Sequence, residues 1–497
     1  MQAGQAFSSK PEQRLATVNR RWFLQGAAAT TLLAACAGRS RYAPGGASKL
    51  PAPPPLSSDA LLSETQRRTF NYFWQTTEIT RGLAPDLAPD FAPVSIASMG
   101  FAFTAVPVGV EHGWVTRADA AQRVRNWLQF LRDAPQGPDG SGMTGHRGFF
   151  YHFLDATSGT RYQNSELSTV DSALLFMGVR FCGQYFNGAG PDESEIRSLA
   201  DFICDRADWN WMQANGPGIC MGWRPETGFL SADWTGYNEA MFVYLLALGS
   251  TSHPVGPDSW ALWTSGYNNS WGTIQGVEHL TFGALFAHQF TQVWVNLRGI
   301  NDAYMGAKGF DYFENSRRAV LSQRAYAIAN PMGWEGYGAD VWGLSACDGP
   351  YDGALNYHGS IARFHTYAAR GVYLRAQDQI DDGTLSVSAT LGCLPFAPEL
   401  VAPAVSAMYQ RYGSAIFTDY GFVDCYNPSF MYDVSLISGR RVGELGWVDS
   451  RYYGLTQGPI VAMIENHRSG LIWRLMQNDP VIRRGLTRAG FTGGWLG

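Results

Sequence analysis

The sequence predicts an all-α fold, a single (α/α)6 toroid with long loops around a cleft. Three observations predict it. From Leu61 onward, apolar residues recur at helical spacing and sustained period-two runs are few. No Pro/Ser-rich linker interrupts the chain after residue 60. No clean repeat marks a solenoid, whereas a closed double ring of helices needs none. The length of 497 residues alone would suggest about three domains, but the unbroken pattern reads as one domain over 61–497.

The helices are expected in this order. The first spans 62–78 and the second 95–111. Thr116-x-x-Asp119 reads as a capping box before the stripe Ala120, Val124, Trp127, Leu128 and Leu131. A helix over 168–187 follows, then a second cap, Asp192-x-x-Glu195, with Ile196, Leu199, Ala200 and Ile203 behind it. The remaining expectations are 237–248, 277–296, 314–329, 397–411, 459–478 and 480–489, with weaker helical segments between 358 and 392. Glycine- and tryptophan-rich loops fill 208–236 and 330–360.

Residues 1–36 stand apart from this pattern. Arg20-Arg21-Trp22-Phe23-Leu24 before an alanine-rich run resembles a twin-arginine export signal, and the run is too short to span a bilayer. It closes on Leu33-Ala34-Ala35-Cys36, a lipobox-like end that makes Cys36 the expected lipidation site; the alternative is a plain signal peptide with a chance cysteine. Residues 37–60 are rich in Pro, Gly, Ser and Ala and are expected to form a semi-rigid tether. A periplasmic location with a lipid anchor as the only membrane contact follows as an expectation. The other six cysteines show no CxxC spacing, so buried free thiols are the preferred reading and no metal or other cofactor is expected.

Composition narrows the function. Charged residues are 16% of the chain against about 25% in ordinary globular proteins. The formal net charge of −5 leaves no positive excess to neutralise phosphates, so nucleic acid is not an expected partner. Aromatics reach 14%, with 17 Trp, and flat aromatic faces suit both cores and sugar rings. G-x-S-x-G, the P-loop and G-x-G-x-x-G before a helix are absent.

Several carboxylates sit among aromatic and apolar residues. Glu166 and Asp171 precede the apolar run Ala173–Phe181, where a helix dipole favours them; either could be a simple cap. Glu239, beside Trp234 and Tyr237, precedes Ala240–Leu248, and an apolar setting raises a carboxylic acid's pKa as a general acid requires. Asp424 follows Tyr420 on a segment with no helical stripe. Glu465 lies inside an apolar helix, where an ion pair with Arg468 is an equal alternative to function. His288 could line a cavity or be a satisfied core residue. Carboxylates amid Trp and Tyr are the kit for glycoside hydrolysis, one acid on the leaving oxygen and one base on the other face.

Six ordered motifs strengthen that reading. They are Ser168–Leu175 (STVDSALL), Tyr237–Met241 (YNEAM), Tyr312–Arg317 (YFENSR), Trp342–Pro350 (WGLSACDGP), Leu394–Glu399 (LPFAPE) and Gly458–Asn466 (GPIVAMIEN). Together, over roughly 61–490, they resemble the bacterial glucoamylase-like domain of the β-1,2-glucanases, glycoside hydrolase family 144. The resemblance implies an (α/α)6 toroid and metal-free, anomer-inverting hydrolysis of β-1,2-glucan or sophoro-oligosaccharides. It implies that Glu239 is the general acid and Asp424 the base. Glu166 and Asp171 become subsite carboxylates, and Trp234, Tyr237, His288, Asp382, Tyr420 and Glu465 are further expected substrate contacts. A monomer is expected. Asp382–Ser388 lacks the proline the family pattern has after Asp-Gly-Thr, and Asn356–Ile380 is longer than usual. These departures leave linkage and endo or exo mode open, with a transglycosylase, a hydrolase of another β-glucan and a silent glucan-binding lipoprotein as alternatives.

Overall fold

The computed structural model describes residues 51–497, so the export signal and Cys36 lie outside the described residues. Twelve of its helices alternate along the chain between two kinds. One kind has an apolar stripe and a wet face: Ser58–Thr76, Arg117–Asp133, Pro191–Asp205, Asp258–Ser265, Tyr312–Ala329 and Pro398–Ile416. The other kind is buried on nearly every side: Ile96–Glu111, Thr169–Tyr185, Met241–Gly249, Phe286–Trp294, Val387–Leu391 and Gly454–Arg468. A helix apolar all round is stable in water only when other helices surround it. The fully buried six therefore form an inner layer and the striped six cover it.

Each inner helix touches the next in chain order. Cys182 Sγ donates to Phe103 O at 3.1 Å, joining the first two. The second packs on the third, and Phe242 of the third meets Trp294 of the fourth at 6.4 Å between ring centres. Gln289 Nε2 donates to Ala389 O at 2.8 Å between fourth and fifth. The fifth packs on the sixth, and the sixth on the first. Across the middle, Trp294 stacks on Phe101 at 5.2 Å and donates from Nε1 to Thr104 Oγ1 at 3.0 Å. The first two inner helices are very close: a Cβ on Gly178 would lie 2.0 Å from Gly100 O, and one on Gly100 2.3 Å from Leu174 O. Glycine at both positions lets the backbones meet.

Short strands lead directly into three inner helices. Val94–Ser95 pairs with Phe153–Leu154, Leu167–Ser168 with Gly222–Arg224, and Tyr452–Tyr453 with Leu87–Ala88. These ladders gather the loops at the N-terminal ends of the inner helices. A smaller apolar cluster, including Trp334, Phe364, Phe430 and Trp447, lies under the hairpin Gly353–Tyr357/Ser360–Phe364.

The capping box at Thr116 forms, with Asp119 N donating to Thr116 Oγ1 at 3.1 Å. The second expected cap does not: Pro191 starts that helix, and Asp192 instead accepts from Arg125 at 2.5 Å. The expected helix 277–296 is a hairpin, Trp271–Ile274 with Val277–Leu280, followed by a helix from Phe286. The expected helix 459–478 breaks at Gly470, whose φ is +66°. The weak helical segments between 358 and 392 resolve into the Ser360–Phe364 strand, irregular chain and the short helix Val387–Leu391. The first helix begins at Ser58, inside the 37–60 segment, and Pro54 O accepts from Tyr409 Oη at 2.9 Å.

Candidate active site

A cleft of about 520 Å³, counting its open mouth, lies where four inner helices begin. Phe286, Gln289 and Phe290 line it from the fourth, Ser388 from the fifth, and Leu455, Thr456 and Pro459 from the sixth. Ser345, Ala346, Tyr367 and Ala369 close it from the loops, and Glu239 enters just before the third helix. Helix N-termini carry partial positive charge, which favours anionic and electron-rich groups.

Glu239 is two residues ahead of its helix, on a pinned loop. Gly236, at φ +74°, donates to Trp263 O at 2.9 Å, and Asn238 Oδ1 accepts from Ala240 N at 2.9 Å. Trp234 Nε1 donates to Thr169 Oγ1 at 3.0 Å, tying this loop to the start of the second inner helix. The Glu239 side chain is buried and shares the cleft wall with Phe286, Phe290 and Tyr367. Tyr373 is close enough for burial and then the Glu239 charge to raise its phenol pKa.

Asp424 is buried one layer behind the cleft wall. Its Oδ2 accepts from Asp348 N at 3.0 Å, two residues beyond the lining Ala346. Its carbonyl accepts from Ser386 Oγ at 2.8 Å, and Ser386 Oγ is 2.9 Å from Oγ of the lining Ser388. Asp348 is also held by Arg451 and, at 3.0 Å, by Tyr453 Oη. Asp449 accepts from Arg451 Nε at 3.2 Å. Burial and then the Asp424 charge push the Asp449 carboxyl well above the usual carboxylate range.

A model of the Glycoamylase family, described as "Putative glucoamylase", matches residues 231–480. The chain belongs to this family. The Glycoamylase match contains Glu239, Asp424 and every lining residue of the cleft. An exo β-1,2-glucooligosaccharide sophorohydrolase (non-reducing end) from Parabacteroides distasonis is 26% identical over 461 residues, covering 87% of this chain. The chain spans 58% of that relative's length. A solved "putative glucoamylase" from Bacteroides uniformis is 28% identical, with a TM-score of 0.75 over 90% of this chain and 100% of the other. An endo-β-1,2-glucanase from Chitinophaga pinensis, solved with sophorotriose and glucose, is 25% identical, with a TM-score of 0.75 over 89% of this chain and 100% of the other.

The other expected site residues of this Glycoamylase chain fall in three places. Glu166 and Asp171 sit together at the second inner helix, bridged by His152: Nδ1 is 2.9 Å from Glu166 Oε1 and Nε2 is 3.6 Å from Asp171 Oδ2. Burial alone would raise the Glu166 pKa, but His152 and Arg224 outweigh it and hold the carboxyl at about 2. The cap itself is Ser168, whose Oγ accepts from Asp171 N at 3.2 Å and donates to Asp171 Oδ2 at 2.6 Å.

Trp234, Tyr237 and His288 are core residues and are not among those lining the cleft. Tyr237 Oη lies 3.0 Å from His288 Nδ1, and His288 Nε2 lies 3.3 Å from Phe282 O. Burial, then nearby His279, lowers the His288 pKa to about 3, so its ring is neutral. Asp382 is fully buried in a bidentate pair with Arg370, at 2.7 and 2.8 Å. That pair outweighs desolvation and lowers its pKa.

Tyr420 and Glu465 lie elsewhere. Tyr420 packs on Tyr72 and Tyr452 beside the first helix. Glu465 is near the C-terminal end of the sixth inner helix, roughly two turns or more from the cleft residues Leu455–Pro459. It accepts from Gln66 Nε2 at 2.9 Å and Ser469 Oγ at 2.5 Å, and lies 2.8 Å from His112 Nε2. The ion pair considered for it with Arg468 does not form; Arg468 reaches Asp59, Ser63 and Gln66 instead. Sequence reasoning missed His152, Asp348, Asp449 and Arg451. They lie in loops distant in sequence from their partners, so no spacing signals them. Ser345 and Ala346 were quoted within a motif and were not read as cleft residues.

Proposed function

We propose that this chain is a glycoside hydrolase that cleaves β-1,2-glucan or sophoro-oligosaccharides with inversion, in a closed (α/α)6 toroid. The observation that carries this is Glu239: among the described residues lining the cleft, it is the carboxylate, and Phe286, Phe290 and Tyr367 line the same cleft. The end-to-end contacts of the six inner helices support the ring. The resemblance to a sophorohydrolase and an endo-β-1,2-glucanase supports the substrate class.

Glu239 donates its proton to the leaving glycosidic oxygen. Aromatic neighbours keep bulk water from that carboxyl and stack against sugar rings. Asp424 takes the proton of the attacking water through an intervening water or hydroxyl, since it sits behind the wall. Glu166, Asp171 and His152, at the start of the neighbouring second inner helix, act as subsite groups for sugar hydroxyls. The likeness of residues 1–36 to a twin-arginine signal with a lipobox-like end at Cys36 supports a periplasmic enzyme tethered to a membrane surface, acting as a monomer.

The test is a soluble form beginning near residue 45, incubated with linear β-1,2-glucan, sophoro-oligosaccharides, laminarin and cellulose. New reducing ends from the β-1,2-linked substrates, with an inverted anomer by proton NMR, are expected. Absence of reducing ends on all four sinks the reading, and redistribution of oligomers without net hydrolysis replaces it with transglycosylation. Glu239→Gln should lower kcat by roughly 10²–10⁴-fold with an unchanged melting temperature.

A further inference from the structure

Two cysteines meet behind the cleft, and nothing in the proposed hydrolysis uses them. Cys347 follows the lining Ala346, and Cys425 follows Asp424. The fold brings Cys347 Sγ, Cys425 Sγ and an Asp424 carboxylate oxygen within 4.8 Å of one another, all three residues buried. We propose that these three side chains form a binding site for a thiophilic divalent cation of the Zn²⁺ or Cd²⁺ type. Occupation of this site switches the cleft off.

Geometry supports the site. Tetrahedral Zn²⁺ with thiolates at about 2.3 Å and a carboxylate at about 2.1 Å sets its ligand atoms roughly 3.5–3.8 Å apart. The observed cluster, with its ligand atoms within 4.8 Å of one another, is of comparable size. Both thiols are already held in place: Cys425 Sγ donates to Asp348 O at 3.1 Å, and Arg370 Nη1 lies 3.6 Å from Cys347 Sγ.

Binding releases two protons, one from each thiol, and forms two metal–sulfur bonds and one metal–oxygen bond. No electron is transferred. The cluster adjoins the cleft wall: Cys347 follows the lining Ala346, and Ser386 links the Asp424 carbonyl to the lining Ser388.

Binding and inhibition are separate claims. Inhibition rests on the proposed role of Asp424 as base, because a bound ion ties up its lone pairs; binding does not. The experiment titrates the reduced, metal-free protein with Cd²⁺ and follows the ultraviolet sulfur-to-cadmium charge-transfer band, with equilibrium dialysis counting ions. One ion per chain with a thiolate band is expected. Cys347→Ser/Cys425→Ser should fold with the same melting temperature, lose the band and weaken the ion by more than about 100-fold. Hydrolysis by the wild type should fall with occupancy and return with a chelator, while the double variant stays active in the same Cd²⁺. No band, a band that survives in the double variant, or a Cys347–Cys425 disulfide in the isolated protein would overturn the site. Full hydrolysis at full occupancy would leave the site standing and remove Asp424 as base.

Discussion

Two buried carboxylates, Glu166 and Glu465, each face a histidine, and position separates their roles. Glu166 sits where an inner helix starts, beside Asp171; Glu465 sits near the far end of another. The Glu166 pKa falls from 4.5 to about 2, worth on the order of 3 kcal/mol of stability. The folded carboxyl is the stronger acid, so this contribution is fully present above about pH 4.5 and is lost as pH falls toward 2. Urea midpoints of wild type and Glu166→Gln should accordingly differ most near pH 5 and converge near pH 2. Equal midpoints at pH 5 would show that His152 and Arg224 do not stabilise it. Asp382 gives a stronger case, because Arg370 meets it with both side chains fully buried. Arg370→Met strands that charge and should cost about 3–5 kcal/mol by denaturant unfolding.

Helix contacts explain which elements the sequence made legible. Long striped helices were readable to within a few residues, because one wet face forces a 3.6-residue period. Inner helices were readable as apolar runs: the first two, expected at 95–111 and 168–187, run Ile96–Glu111 and Thr169–Tyr185, whereas the ends of the fourth, fifth and sixth were missed. The hairpins were missed for a specific reason. Gln275-Gly276 and His358-Gly359 each adopt positive φ at both turn positions, 51° and 78°, and 49° and 87°. That geometry suits a two-residue hairpin turn, which Asn-Gly or Asp-Gly would have announced. In the site, Glu239 lines the cleft, whereas Asp424, Tyr237, His288, Asp382 and Glu465, in the same aromatic or apolar setting, are packed or paired outside its lining. Sequence cannot separate a cavity wall from a core wall, since both are apolar. The Gly100–Gly178 contact offers an element-level test. Gly178→Ala drives a methyl into a backbone carbonyl and should cost about 2 kcal/mol or more. Gly190→Ala, with open space around it, should cost less than about 1 kcal/mol. Equal costs would mean that the helices can part.

At the scale of the whole molecule, the two ends of the described chain hold each other. Gln66 reaches Glu465 across 399 residues of sequence, and Arg468 reaches Asp59 across 409. The first helix covers the last inner helix and also touches the first inner helix. A chain beginning at residue 51 should therefore melt as the longer chain does. One beginning at residue 78, stripped of buried Phe70, Tyr72 and Phe73, should be insoluble or lose its cooperative transition. A soluble chain from residue 78 with unchanged melting would refute the dependence. This end-to-end clasp also sets a timetable. During synthesis the N-terminal helix can pack early on the first inner helix, but the part of its stripe that faces the last inner helix waits for the final stretch of polypeptide. Contacts so distant in sequence close slowly, so the clasp between the first helix and the last inner helix is completed only after the C-terminal region has been made.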